Sequence, residues 1–553
     1  MNTRWAVLVS LFTLLNACTQ RSQGDEMVNL VPGTLNTTPD YWCTWGAQNF
    51  AADTVSLLNS LNLGGHSVTA GYVTEQWVFG PAGWSEAIPE KLRQDLILLF
   101  DVGWDVPAGE MFDDSRWKLG SLEVATDKFP SCTGDRKEKL KKLNSLVTGH
   151  GWKGTGLWLP SQAYNIDDPQ EALSDSETEA FYQKAAEDCA EAGIKYWKID
   201  YGSRGGDVQF RSMITRNAEK YAPGLLVEHG RGSGPLNDEE CPWDTENFHG
   251  TGLYGNWDDG KVLQTAVDIA KVSHVLRTYD ITQQLSIPTT LDRVTQILNA
   301  LSGSGEEVII NCEDEPYIAA VLGCAMGVMR HPDMIYREGY NYDPFRFKYR
   351  MDEVLRSVRW HRLAPAWGAG RSTMNLDTLI LHDSWFFEPG DAWAIWVTGR
   401  KIIQSAHARV ARGMALAEVK VDGDPPFVIC SKHPNGAVAI ATLPRVSTEK
   451  QIYTPMADVT IRLDDLEVPV GIFGHFNSLR IEFDQAIKPG ELQILGQDLA
   501  SDKATDITSK VEIHPGYLYI PGDLITQTGT RAASKGDLSE PGMVMQIYKT
   551  TRE

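Results

Sequence analysis

A chain of 553 residues is too long for one ordinary domain, and two or three are expected. An apolar content of 42% with 17 tryptophans describes a soluble protein with a large core, and tryptophan faces are also surfaces on which sugars stack. The formal charge of −22 argues against nucleic acid as a partner, because a phosphate backbone demands basic surface.

At the N-terminus Arg4 precedes an apolar run from Trp5 to Leu15, followed by Asn16-Ala17-Cys18. A short basic region, a brief apolar core and small residues before a cleavage point make a secretory signal rather than a membrane span. Leu15-Asn16-Ala17-Cys18 resembles a bacterial lipobox. That resemblance implies a signal peptide over 1–17, lipidation of Cys18, a polar tether over 18–38 and a membrane partner through the lipid anchor. Thr19 after the cysteine resembles outer-membrane sorting, so a cell-envelope lipoprotein, periplasmic or surface-facing, is expected. No later apolar stretch is long enough to span a bilayer. The remaining cysteines are widely spaced with no CxxC pair, so a zinc cluster is not expected and a disulfide framework is not demanded.

From about residue 40 short apolar runs alternate with amphipathic helical stretches, the pattern of repeated βα units. The expected strands are Tyr41–Trp45, Leu96–Asp101, Gly154–Leu159, Lys195–Asp200, Leu225–His229 and His274–Tyr279. Helices are expected over Glu177–Ala192, stopped by Gly193, and Gln209–Tyr221, stopped before Pro223-Gly224. The runs Val308–Cys312 and Ala325–Met329 belong to the same pattern, but strands seven and eight are not assigned. The fold expected is a (β/α)8 barrel over 39–370, with active-site residues at the carboxyl ends of its strands.

Strand alternation places Tyr196, Lys198 and Asp200 on one face and Trp197, Ile199 and Tyr201 on the other. A cation two residues away on the same face would keep Asp200 ionised, although a structural ion pair fits the same residues. Other runs also end in polar or aromatic groups. Trp42 and Trp45 mark the first, Asp101 and Trp104 the second, and Trp158 the third. Glu228 and His229 close the fifth, and Arg277 and Asp280 the sixth. Each alone reads equally as a cap or core residue; their recurrence at successive strand ends is what points to a site.

Taken in order, these residues resemble the clan of retaining glycoside hydrolases that holds families 27 and 36, the α-galactosidases and their relatives. Tyr41-Trp42-Cys43-Thr44-Trp45 resembles its first strand, and Asp101-Val102-Gly103-Trp104 resembles its "DDGW" second strand with valine in place of the second aspartate. Gly151 to Trp158 resembles the third strand, and Lys198-Ile199-Asp200 the "KxD" fourth, whose aspartate is the nucleophile. Arg277-Thr278-Tyr279-Asp280 resembles the sixth-strand arginine and acid/base, and His331-Pro332-Asp333-Met334 a downstream "DPDM" segment. The resemblance implies Asp200 as nucleophile and Asp280 as acid/base. It further implies a sugar subsite of Trp42, Trp45, Asp101, Trp104, Trp158, Lys198, Glu228, His229 and Arg277.

Three departures bear on the substrate. Val102 lacks the carboxylate that holds sugar hydroxyls in the family, Asp280 follows Arg277 by three residues rather than four, and Glu228-His229-Gly230-Arg231 does not match the family's specificity segment. Glu228 or Asp258 stand as alternative acids. A terminal α-galactoside-like sugar is expected, with β-L-arabinopyranosidase or α-N-acetylgalactosaminidase specificity as alternatives. A retaining reaction needs the two carboxyl groups about 5–5.5 Å apart. No cofactor or metal is implied, since the strand ends lack a histidine cluster and no phosphate-cradling loop is evident. The rival readings are a non-catalytic carbohydrate-binding lipoprotein and a metal-dependent barrel hydrolase or lyase.

Beyond about residue 370 the runs Ala392–Val397, Phe427–Cys430, Ala437–Thr442, Gly471–Gly474 and Tyr517–Ile520 are separated by Gly, Pro and Asp turns. One or two antiparallel β-sandwich modules are expected over 371–553.

Overall fold

In the computed structural model, eight short strands hydrogen-bond in chain order and close on themselves as a parallel barrel. They are β1 (Tyr41–Cys43), β2 (Ile97–Phe100), β3 (Gly154–Leu159), β4 (Tyr196–Ile199), β5 (Leu226–His229), β6 (Val275–Thr278), β7 (Ile309–Glu313) and β8 (Ala325–Val328). β8 returns to β1 by pairing Gly327 with Tyr41 and Val328 with Trp42. The structure describes residues 28–52, 66–110, 120–161, 173–200, 202, 204–230, 260–278, 285–332, 350–386, 401–485, 487–488 and 490–550.

The first six strands lie within the runs expected from the sequence, and the two unassigned runs supply the seventh and eighth. β1 is shorter than expected: it ends at Cys43, and Trp45 opens the helix Trp45–Ala51. Along each strand the residues divide between two cores, as a period of two requires. Tyr41, Cys43, Ile97, Leu99, Trp158, Tyr196 and Val275 pack inside the barrel. Trp42, Leu98, Phe100, Leu157, Trp197 and Ile199 pack outward into the helical layer.

Both expected helices form, with local signals that explain their limits. The helix Asp175–Ala192 opens with a capping box between Ser174 and Glu177 and stops at Gly193, whose φ of 77° suits a residue without a Cβ. The helix Val208–Tyr221 is capped by Asp207, whose side chain accepts from the Phe210 N–H. After β7 the short helix Pro316–Leu322 has no exposed residue at all. A helix without a polar face must be covered on every side, and the C-terminal region does that here.

That region contains an eight-stranded sheet and a five-stranded sheet. Val428 and Met545 of the first share one core with Val459, Leu479 and Leu518 of the second, so the two sheets form one sandwich. Most neighbouring strands run antiparallel, but Arg409–Arg412 with Phe427–Lys432, Val438–Leu443 with Val470–Phe473, and Asp458–Arg462 with Ser478–Glu482 run parallel. The barrel's outer core continues into the larger sheet through Phe427, Ile429, Phe473 and Val544. Polar groups lock the junction. Arg356 and Asp498, both fully buried, pair at 3.0 Å. Arg412 donates to the carbonyls of Leu322 at 2.6 Å and Gly368 at 2.7 Å while lying 3.8 Å over the Trp367 ring.

Gly323 ends the buried helix at φ 63°, and a Cβ there would fall 1.6 Å from the Trp367 ring. Gly323→Ala should therefore cost at least about 2 kcal/mol in left-handed strain and overpacking. Urea denaturation checks this, and a variant as stable as the parent would mean that the junction repacks freely.

Candidate active site

Inside the barrel, at the carboxyl ends of its strands, alternation collects one polar cluster. Asp101 follows β2, Lys198 lies on β4 with Asp200 just beyond it, and Glu228 lies on β5. Arg277 comes from β6, and Asn311 and Glu313 come from β7. Register makes them neighbours: Trp158 pairs with Lys198, Lys198 with Glu228, and Arg277 with Asn311. All are at least nine-tenths buried. Asp200 has the most accessible side chain of the four carboxylates, at 8% against 4% or less for the others.

Asp200 is gripped at both oxygens. Arg277 donates to Oδ1 at 2.6 Å, and the Trp158 indole donates to Oδ2 at 2.9 Å. Lys198 Nζ lies 3.8 Å from Oδ2. Burial works to raise the Asp200 pKa, but Arg277 first and Lys198 second outweigh it and hold the carboxyl below its ordinary value. The expected division of labour is thus revised. Lys198 makes its short contact with Asp101, 2.6 Å away, and Arg277 is the nearer cation to Asp200. Asp101 is further held by the Cys43 thiol at 3.1 Å, and its own N–H donates to Thr44 Oγ1 at 2.9 Å.

One guanidinium serves three carboxylates. Besides Asp200, Arg277 reaches Glu313 at 2.6 Å and Glu228 at 3.4 Å. Its placement depends on Gly230, where a Cβ would come 2.7 Å from Arg277 Nε. Glu228 also accepts from the hydroxyls of Tyr41 at 3.1 Å and Tyr196 at 2.9 Å, and from Asn311 at 2.5 Å. Burial nevertheless raises its pKa. Glu313 is pushed up to about 8 by burial against the pull of Arg277. Burial opposes charge on Lys198 as well, but Asp101 more than compensates and keeps the ammonium protonated. The arrangement therefore sets an ionised carboxylate, Asp200, beside a carboxyl group, Glu313, that favours its proton.

The sequence-derived site residues divide sharply. Asp101, Trp158, Lys198, Asp200, Glu228 and Arg277 are brought together. Trp45, 6% exposed, packs with Val102, Val106, Trp158 and Met329 at the same end. Three residues do not face the cluster. Trp42 points outward, donating to the Arg330 carbonyl at 3.0 Å and stacking on Trp152. Trp104 is wholly buried in the outer core with its indole on the Trp158 carbonyl at 3.2 Å. His229, next to inward Glu228, lies between Arg211 at 3.1 Å and Thr215 at 2.9 Å on the covering helix. Burial and Arg211 hold its pKa well below the ordinary value. Asp280, Asp258 and Cys18 lie outside the described residues.

Tyr41, Cys43, Asn311 and Glu313 join the site without having been singled out. Alternation along Ile309–Glu313 would have placed Asn311 and Glu313 together, but the expected run stopped at Cys312. Among the described residues no group of three or more His, Cys, Asp and Glu side chains is arranged to hold a metal ion.

No protein-family model matches the chain, and no curated protein matches it by sequence. Solved structures similar to it include a family 27 β-L-arabinopyranosidase from Geobacillus stearothermophilus in complex with arabinose. That likeness has 9% identity and a TM-score of 0.40 over 93% of this chain and 98% of that one. A candidate α-galactosidase from Bacteroides fragilis is similar at 11% identity and TM-score 0.36, over 93% of this chain and 80% of that one. A candidate α-N-acetylgalactosaminidase from Bacillus halodurans is similar at 10% identity and TM-score 0.38, over 95% and 100%.

Lys198→Met would leave Asp101 buried with its nearest cation gone. A loss of about 3–5 kcal/mol in urea denaturation at pH 7 is expected, with most of it regained in Lys198→Met/Asp101→Leu. A single-variant loss below about 1 kcal/mol would show that the pair carries little of the site's stability.

Proposed function

We propose that the protein is a glycoside hydrolase that cleaves a terminal α-galactoside-like or related sugar with retention of configuration, using Asp200 as nucleophile. The observation that carries this reading is the state of Asp200: a carboxylate at the mouth of the barrel, held ionised by Arg277 and Lys198 and aimed by Trp158. A retaining glycosidase needs such a group to attack the anomeric carbon and form the covalent glycosyl-enzyme.

The sequence resemblance assigns Asp280, two residues beyond β6, as the acid that protonates the leaving oxygen and then the base that activates water. Asp101 and Lys198 are suited to grip sugar hydroxyls, one accepting and the other donating, and Trp45 and Trp158 to bound the ring. Trp42, Trp104 and His229 take no part in this proposal, because they serve the outer core. Val102 leaves an apolar wall beside Asp101. A buried wall that cannot accept a hydrogen bond favours a sugar with no hydroxyl to satisfy there. The carbohydrate-binding alternative has less support, since binding alone does not call for a costly buried carboxylate group.

A panel of α- and β-linked nitrophenyl glycosides, with product configuration followed by NMR, tests the class. Asp200→Ala should lower kcat by at least about 1,000-fold on whichever glycoside is cleaved. Wild-type turnover in that variant would remove Asp200 from the role. Asp280→Ala should fall mainly on poor leaving groups and recover in part with azide; equal losses across leaving groups would move the acid elsewhere.

Localisation follows the sequence alone: we place the protein on the cell envelope through a lipid on Cys18. Cys18→Ser should abolish palmitate labelling and release the protein from the membrane fraction, and unchanged fractionation would refute the anchor.

A further inference from the structure

Among the described residues, the barrel interior holds more negative groups than cations. Asp101, Asp200, Glu228 and Glu313 face Lys198 and Arg277, and all six are at least nine-tenths buried. Lys198 matches Asp101 at 2.6 Å; Arg277 lies 2.6 Å from both Asp200 and Glu313, and Lys198 at 3.8 Å and the Trp158 indole favour Asp200 as its charged partner. Glu228 and Glu313 remain. Glu228 has three neutral donors, from Tyr41, Tyr196 and Asn311, which suit a charged carboxylate. Glu313 has the Arg277 guanidinium, which it shares with Asp200. A second unbalanced charge in a dry interior costs several kcal/mol, and taking up a proton avoids it.

We propose that Glu313 is a neutral, protonated positioning residue that accepts from Arg277 without claiming its charge and so fixes the guanidinium against Asp200. This rests on the reading of Asp200 as nucleophile. Among the described residues, the groups facing Glu313 are Arg277 from β6, Lys198 from β4 with Asp200 just beyond it, and Tyr41 from β1, while Glu228 from β5 meets it through the shared Arg277. β8 offers only Gly327 opposite it. The next acids along the chain serve elsewhere: Asp314 accepts from Arg330 at 2.9 Å and Glu315 from Ser286 at 2.5 Å. The raised pKa of Glu313 agrees with the geometry.

A neutral Glu313 has a linkage signature. Its folded pKa lies above the unfolded value, so the folded state binds the extra proton between about pH 4.3 and 8. Stability from this group is therefore lost as pH rises through that window.

The test pairs Glu313→Gln with Glu313→Ala. Infrared difference spectra of the whole protein at pH 7 should show a protonated-carboxyl band that Glu313→Gln removes. Glu313→Gln should also gain stability relative to the parent as pH rises from 5 to 8. On a cleaved glycoside, Glu313→Gln should stay within about threefold in kcat, while Glu313→Ala should lose about 100-fold through a misplaced Arg277. An absent band, a band untouched by Glu313→Gln, or equal losses in both variants would overturn the proposal. The infrared and stability readouts need no substrate. A failure of the glycosidase reading would therefore leave them intact and remain distinguishable.

Discussion

Everything at the top of this barrel depends on how one buried guanidinium is shared. Arg277 touches Asp200, Glu228 and Glu313 at once and is itself wholly buried, so each carboxylate's charge is set by how much of that cation the others leave. Arginine suits this task because its planar fork presents several fixed donors, where a lysine would offer a single point charge. Lys198 balances Asp101 alone at short range. Among the described residues, two cations against four carboxylates make the protonation states interdependent, and that imbalance separates an ionised Asp200 from a reluctant Glu313.

The scaffold supplies this arrangement through alternation and small residues at close approaches. Parallel register sets inward positions of adjacent strands side by side, so residues far apart in the chain become hydrogen-bond partners. Gly230 clears the path for Arg277, and Gly327 lies under the Tyr41 ring, where a Cβ would come 2.5 Å from its hydroxyl. Burying so many ionisable groups costs stability, and packing elsewhere must offset it. The outer core provides that, running without interruption from the helical layer into the larger C-terminal sheet. The sandwich therefore buttresses the β7 side of the barrel, where Pro316–Leu322 has no face left for water.

Much of this was legible before any tertiary structure. The apolar runs and their helix stops located the strands, because burial on both faces and capping chemistry are local properties of the chain. The shared face of Lys198 and Asp200 followed from their spacing of two. The same rule carried a warning about adjacent pairs. Glu228 and His229 could not both face inward, and Trp42 and Trp45 could do so only if the strand ended between them. It ended at Cys43, and Trp45 entered from a helix.

The sequence by itself determined the barrel pattern and the inward pairing on β4. It could not say which face of β1 or β5 looks into the barrel, since alternation fixes relative and not absolute orientation. Only closure of the sheet decided that Trp42 and His229 serve the outer core while Tyr41 and Glu228 serve the site. Closure also decided that Arg277, 77 residues from Asp200 in the chain, is the cation that controls it. Electrostatic partners across a barrel are set by register and burial, and neither exists until every strand is in place.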